Sequence, residues 1–460
     1  EAWQRNARAD PQKIRWVDVG RQQVYWHYRL GIGDGGFQAE TGGYATISSW
    51  YPTVYACAYR KMFGRDASPY PDVTHLIPRR LMQILFRDDG TTAAQKINSV
   101  VGFDLRYCAA AFPILPDKYK PAVLWAWNTV TGVEDAKTAA NVLRGEGLDL
   151  AHAFLHYPLD GDRPAGTKPV HPAEIMPLTW EAPTFGFHCF RSGWRSNDDF
   201  IGQVFLKASL VGGWNHPNAG TFRLYGLGHP WVTGRSDRNG ARQLEPVVVL
   251  PEDETFQSAC GRLAYLKTEK DGSGILTINL DDVYSRKSRL YDRNLIRWPE
   301  RFSESGITGL RAIAFDYSGK SGAPAMLVLI DKIDGGGKRL WQWRVPAQGR
   351  DQSVKPQVKI KANTFTLDYG DASMVATFVA PEGAELSHGT DFIKEGDPRH
   401  GYHGEVERVK ATGGRSFFVV ATFQRKGPPA VKAQGNGLDA KVTVGEQTIR
   451  FDGRKIVLGP

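Results

Sequence analysis

The sequence predicts an α+β chain in two parts, a helical part followed by a long run of antiparallel strands. Three observations carry this. Apolar and aromatic residues recur at spacings of three and four as far as about Leu178. Beyond that point the period drops to two and stays there. Between the two patterns lies a Pro-rich bridge over residues 160–183. Helices that precede strands, instead of alternating with them, give segregated layers and not a βαβ sheet. The expected limits are 1–178 and 179–460.

Each element has its own signal. Tyr44, Ile47, Tyr51, Val54, Tyr55, Ala58 and Met62 mark one apolar-aromatic helix face. Pro52 predicts a kink, or a restart after Tyr51, and Gly64 a C-terminal cap. A second helix is expected from Ile77 to Phe86, stopped at Asp88-Asp89-Gly90. Two more are expected from Pro121 to Thr129 and from Glu134 to Arg144. Strands are read at 185–190, 200–207, 221–225, 247–250, 274–280, 325–330, 416–423 and 448–451. Gly-rich turns such as Asp271-Gly272-Ser273-Gly274 and Asp334-Gly335-Gly336-Gly337 separate them. Ser387 to Gly404 is polar, holds His388, His400 and His403, and predicts a long surface loop.

Composition narrows the function classes. The 460 residues are enough for two cores, and 41% apolar with 23% charged residues is ordinary for a globular protein. No apolar run approaches the roughly 18 residues of a membrane span. Fifty Gly, 27 Pro and 13 Trp point to a loop-rich, strand-rich protein with aromatic surfaces. A net charge of +9 favours anionic partners. No dense Lys/Arg run and no zinc-finger, RRM-like or helix-turn-helix pattern accompanies it, so nucleic acid is not expected. An acidic polysaccharide fits, and a basic balance without functional meaning stays open. Cys57, Cys108, Cys189 and Cys260 form no CxxC pair and read as buried small hydrophobes. The opening Glu1-Ala2-Trp3-Gln4 reads as mid-helix in a processed or trimmed piece.

The most informative stretch runs from Gly212 to Phe222, between two strands, and holds Trp214, Asn215, His216, Pro217 and Asn218. With its surroundings it resembles the β-domain signature of heparinase II/III-type polysaccharide lyases, His-x-His-Pro-Asp-Ala-x-x-Phe. The second His is kept as His216, while Trp214 replaces the first and Asn218 the Asp. The resemblance covers most of the chain and is strongest over 34–44 and 190–231. It implies an incomplete α/α toroid followed by a large antiparallel β-sandwich, with the active site in the cleft between them. It further implies a secreted or periplasmic lyase that cleaves a uronate-containing polysaccharide by β-elimination.

Such an elimination neutralises a C6 carboxylate, removes the C5 proton and protonates the departing O4 oxygen. Asp34-Gly35-Gly36 through Glu40 to Tyr44 resembles the family's Asp-Gly…Glu-Gly-x-x-Tyr entry to a cleft-facing helix. Glu40 and Tyr44, four apart, share a helix face there. The plainer readings are a helix-dipole partner for Glu40 and a core aromatic for Tyr44. The His matching His216 lies in the cleft of relatives and helps hold zinc in several. Here Asp237 is a second candidate ligand, His229 is the only His between His216 and His388, and a third ligand is not found. The plainer reading of His216 is a satisfied turn histidine. Trp214 offers a face for sugar stacking, and Asn215 and Asn218 suit a carboxylate or hydroxyl. Where many relatives carry a catalytic Tyr, this chain has Phe86 or Arg87. Arg87 either clamps an acidic group or is a solvated helix-end residue, and Tyr51 and Tyr107 join Tyr44 as proton-transfer candidates. The expected site is therefore Tyr44, His216 and Glu40 for catalysis, with Arg87, Trp214, Asn215 and Asn218 for substrate.

Other motifs carry less. His27, His75, His152 and His156 read as core or surface residues of helices. Gly31 to Gly36 lacks the preceding strand and the Lys-Ser/Thr tail of a nucleotide loop. Arg191-Ser192-Gly193-Trp194 reads as structural. Two rival functions need none of the missing groups: a glycoside hydrolase using Glu40 with Asp88 or Asp89, and a non-catalytic glycan-binding protein.

Overall fold

The computed structural model describes residues 16–37, 42–66, 72–86, 92–94, 111–131, 168–208, 219–234, 245–250, 260–284, 286–287, 303–304, 306–346, 355–394 and 403–459. The helical part holds α1 (Trp16–Trp26), which continues as a π-helical turn over His27–Ile32, then α2 (Gly42–Phe63) and α3 (Asp72–Leu81). A hairpin follows, β1 (Ile84–Phe86) with β2 (Thr92–Ala94), then α4 (Lys120–Thr131) and α5 (Pro172–Ile175). No described helix is long and apolar enough to cross a membrane.

All described strand pairs are antiparallel, and the larger sheets stack in layers. The first sheet is a meander of β3 (Thr179–Ala182), β4 (Phe187–Arg191), β5 (Ile201–Phe205), β6 (Thr221–Gly226) and β7 (His229–Val232). Its pleat points Phe187, Cys189, Ile201, Phe205 and Tyr225 at the helices. The alternate residues Phe190, Val204, Phe222 and Leu224 enter a second core. That core is closed by an eight-stranded sheet. Its strands are β9 (Arg262–Thr268), β10 (Gly274–Asn279), β13 (Thr308–Asp316), β14 (Ala325–Asp334), β16 (Gln357–Lys361), β17 (Thr364–Asp368), β18 (Ser373–Ala380) and β21 (Ser416–Gln424). Beside the first sheet lie β8 (Val248–Val249), β15 (Leu340–Arg344), β19 (Glu385–Lys394) and β20 (His403–Thr412), joined to it where Thr233 N donates to Arg344 O at 3.3 Å. A last sheet, β22 (Val431–Gln434) to β25 (Ile456–Gly459), covers the other face of the eight-stranded one. The short helix Asp281–Tyr284 and the two-residue pair β11 (Arg286–Lys287) and β12 (Ser303–Glu304) connect the layers.

Burial explains the sequence patterns. Along β14, Leu327 and Leu329 face the second core while Met326, Val328 and Ile330 face the third, so the strand reads as one unbroken apolar run. β18, at the side of the same sheet, alternates buried and half-buried residues.

The structure corrects three sequence expectations. The helix does not restart after Tyr51 but runs through Pro52, whose carbonyl accepts the buried Tyr28 hydroxyl. The helix expected to reach Phe86 stops at Leu81. Arg191 Nη1 takes the carbonyls of Met82 (3.0 Å) and Ile84 (2.8 Å), which a continuing helix would have used internally, and Ile84–Phe86 becomes a strand buried throughout. Within the span 387–404 expected as a loop, 387–394 and 403–404 belong instead to a ten-residue pairing of β19 with β20, bridged by His388–Glu407 and Asp391–Lys410, while 395–402, with His400, lie outside the described residues. Gly64, by contrast, caps α2 with φ 65°, and Cys57 and Cys189 are buried, both as expected. Cys260 is half-buried, and Cys108 lies outside the described residues.

Two buried polar groups have measurable consequences. Arg311 and Asp331 form a two-pronged pair at 2.6 and 3.0 Å between β13 and β14, both essentially without exposure. Asp331→Ala strands the guanidinium and should cost about 3–5 kcal/mol in urea unfolding; a loss below about 1 kcal/mol would contradict this pairing. His188 is 1% exposed, and neither ring nitrogen finds a partner among the described residues. Burial holds its pKa down to about 4, from 6.5. The unfolded chain therefore takes up a proton near pH 6.5 that the folded one refuses until about pH 4. The resulting stability is full above pH 6.5 and falls by about 3 kcal/mol as pH drops through that window. In His188→Leu that part of the acid slope should vanish, as read from unfolding midpoints between pH 4 and 7.

Candidate functional site

Most of the expected site lies outside the described residues: Glu40, Arg87, Trp214, Asn215, His216, Asn218 and Asp237, with Asp88, Asp89 and Tyr107. Tyr44 belongs to α2 by its backbone, with its side chain outside them. The segments from which these residues depart are described, and two of them meet.

The first is Gly33–Phe37. Its carbonyls and amides are held from three sides. Asp34 N donates to Thr184 Oγ1 (2.9 Å), Trp180 Nε1 to Gly35 O (2.9 Å) and Arg79 Nε to Gly36 O (3.2 Å). The two glycines are obligatory here. Gly35 and Gly36 have φ of 78° and 70°, and a Cβ on either would lie 2.2 Å from Glu181 O or 2.4 Å from the His75 carbonyl carbon. The tight turn delivers Phe37 onto the first sheet, its ring stacked 4.7 Å from Phe187 and 5.3 Å from Phe205. The buried Arg79 guanidinium lies 4.8 Å from the Phe37 ring, and burial pulls its pKa well below the usual arginine range. Gln83 links this layer to the sheet, accepting from Arg79 Nη1 and donating to Gln203 Oε1 at 2.9 Å.

The second segment is the root of the loop that carries His216. β5 ends at Phe205, β6 begins at Thr221, and the two residues are paired across the strands. Gly220 N closes the root on Phe205 O at 2.9 Å. Thr221 Oγ1 donates to Glu245 Oε2 at 2.6 Å, and Arg223 Nη2 reaches the same oxygen at 2.9 Å, all three residues buried. Arg311 Nη1 fixes the carbonyls of Gly220 (2.8 Å) and Pro246 (2.7 Å). On the other side of the loop, Lys207 is 3% exposed with a left-handed φ of 55°, a strained backbone for a residue with a Cβ.

Phe205 thus belongs both to the Phe37 stack and to the loop root. Glu40 follows Phe37 by three residues and His216 precedes Thr221 by five. At about 3.5 Å per residue the two chains reach at most roughly 10 and 17 Å from one ring stack. Arg87 departs elsewhere. Its neighbour Phe86 packs on Trp125 at 5.1 Å, and Trp125 in turn on His171 at 4.4 Å.

Among the described residues no group of three His, Cys, Asp or Glu side chains stands together as a metal site. Glu245 is engaged by Thr221 and Arg223. His229 sits at the far end of β6 from the loop root, stacked 4.1 Å from Tyr369 with Nε2 2.8 Å from Asp371. The described donors near the loop root are thus engaged elsewhere, and the candidate zinc ligands His216 and Asp237 lie outside the described residues. Arg191, as expected, is structural: besides its bonds to β1 it lies 3.6 Å over Trp194.

Sequence reasoning missed Phe37, Arg79, Gln83, Gln203, Lys207 and Glu245. Gln203 alone carried a signal, a polar residue inside an otherwise apolar strand.

No family model and no curated protein matches the chain. Solved structures do. The chain is similar to the heparan sulfate lyase HepC from Pedobacter heparinus over 97% of its own length and 62% of that chain, with a TM-score of 0.58 at 13% identity. A mutant of that protein gives 0.60 with the same coverage and identity. A heparinase III structure matches over 94% of this chain and 62% of its own, with a TM-score of 0.53 at 12% identity. The chain spans about three fifths of the length of each, 62%. At such identities the likeness is one of fold: the chain has the fold of heparinase III-type lyases, a helical toroid part followed by antiparallel β-layers.

Proposed function

We propose that the protein is a polysaccharide lyase that cleaves a uronate-containing polysaccharide by β-elimination, where the helical part meets the first sheet. The observation that carries this reading is the Phe37–Phe187–Phe205 stack. It sets the segment leading to Glu40 and Tyr44 beside the root of the loop bearing His216. The names of the structures similar in fold, heparan sulfate lyase and heparinase III, agree with it.

In this proposal Asn215 and Asn218 hold the C6 carboxylate, Tyr44 or His216 removes the C5 proton, and the other returns a proton to O4. Glu40 orients the acid–base pair, Trp214 stacks on a sugar ring, and Arg87 binds a more distant acidic group. The helical part over 1–178 and the β part over 179–460 each supply one side of the cleft. A polymer substrate places the enzyme outside the cytoplasm, secreted or periplasmic.

The reaction class is tested by incubating the protein with uronate polysaccharides. Elimination leaves a C4–C5 double bond, so ultraviolet absorbance should rise together with reducing ends. Reducing ends without that gain would mean a hydrolase; neither signal, with retained binding, would mean a binding protein. His216→Ala should lower turnover about 10²–10⁴-fold with an unchanged unfolding midpoint, and full activity would remove His216 from the mechanism. Phe37→Leu keeps apolar volume but loses the ring stack, so kcat should fall more than tenfold while the fold, read by circular dichroism, persists. An unchanged kcat would show that the stack does not align the two segments.

A further inference from the structure

A cavity of about 340 Å³ lies between α1 and α2, and none of its lining residues belongs to the site described above. Tyr25, Tyr28 and Tyr55 supply its aromatic lining, and Asp18, Arg21 and Gln22 its polar groups. The α1 members recur at steps of three and four, so one helix face lines the cavity. From Tyr55 an aromatic row continues along α2 at every fourth residue, Tyr51, Tyr55, Tyr59 and Phe63. The Tyr55 and Tyr59 rings are 5.9 Å apart, and those of Tyr59 and Phe63 4.5 Å. Water reaches this row: Tyr51 is 76% exposed and Phe63 57%. Cations flank it. Arg65 lies 5.9 Å from the Tyr59 ring, Arg60 is 3.5 Å from Asp66, and Arg21 is 3.9 Å from Asp18. Three arginines thus stand against the two carboxylates of Asp18 and Asp66.

We infer that this groove is a second glycan-binding site, which takes an acidic sugar chain. A tyrosine ring offers an apolar face to the C–H side of a pyranose and a hydroxyl to its edge. Guanidinium, amide and carboxylate groups together serve hydroxyls and anionic substituents. The cavity takes one or two rings, and the aromatic row, spaced near one helical pitch of about 5.4 Å, carries the next ones. Positive charge beside the row selects acidic over neutral chains. The class of occupant rests on the proposed function. The groove holds a long chain on the surface while another part is cleaved.

The test measures binding without turnover. In a His216→Ala background, a size-defined long heparan sulfate oligosaccharide is titrated calorimetrically into the full chain, with a neutral dextran of equal length as control. Tyr59→Ser with Phe63→Ser, and separately Arg21→Gln, should each weaken binding about tenfold. Circular dichroism shows whether the variants stay folded, and Arg21→Gln, on an exposed helix face, spares the core in any case. Affinities equal to the parent's, or dextran bound as tightly as the acidic chain, would overturn the inference. So would a parent that binds no acidic chain. A parent that sediments as a dimer, with a monomeric Tyr59/Phe63 variant of unchanged affinity, would assign the row to a second copy of the chain and overturn it as well. Retained binding without any ultraviolet product in the unsubstituted protein would overturn only the lyase reading.

Discussion

The guanidinium of Arg311 is the point at which the layers are tied. It is fully buried, and its donors are met by the two oxygens of Asp331 and by the carbonyls of Gly220 and Pro246. An ion without water is tolerable only when every such demand is satisfied, because the desolvation cost is several kcal/mol per charge. The pair therefore tolerates little drift. Asp331 belongs to the central strand β14, Gly220 closes the loop between β5 and β6, and Pro246 leads into β8. One residue thus holds three sheets to a common origin. Thr221, next to Gly220, gains a fixed position from which it and Arg223 bind Glu245. The loop that follows β5 hangs from a rigid frame, as residues used in chemistry require.

The first sheet is a wall with two different faces. Phe205 points to the helices and Val204 to the second core, so any shift of the wall is resisted from both sides. On the helix side the end nearest the loop is aromatic, with Phe187, Phe205 and Phe37 in contact. The middle is polar, with Gln203 joined to Gln83 and through it to Arg79. Apolar burial supplies attraction there, while hydrogen bonds set one register between helix and strand. A slide by one residue would part the half-buried Gln83 from the buried Gln203 and leave the latter unmet, at about 1–3 kcal/mol.

Legibility in the sequence followed how many surfaces an element touches. Strands buried on both faces, such as β14, read as apolar runs, and the switch of period marked the change from helices to sheets. Ile84–Phe86 was read as helix because three buried apolar residues carry no period, and the partner that decides the matter, Arg191, lies over a hundred positions away. The β19–β20 pairing was hidden because an edge strand keeps polar residues, and its stabilising pairs, His388 with Glu407 and Asp391 with Lys410, become visible only when the two strands are laid side by side. At the site, Gly35-Gly36 was legible as a place of close approach, although what approaches, Glu181 on one side and His75 on the other, was not. Arg79, Gln83 and Gln203 escaped notice because their meaning arises from segments joined by topology alone.

The scaffold also constrains which groups remain for proton transfer. The family signature loses one His at Trp214 and one Asp at Asn218, so a replacement base from the surrounding frame is the natural alternative. The described frame offers poor ones. Glu245 is buried, and its Oε2 is engaged by Thr221 and Arg223. His188 stays neutral down to about pH 4, yet it faces the core and not the loop. His229 is bound to Asp371 at the opposite end of β6. In the proposed elimination, the base and acid are therefore assigned to the loop itself and to the segment beyond Phe37. His216 and Tyr44 are the proposed pair, because their segments leave the same aromatic stack.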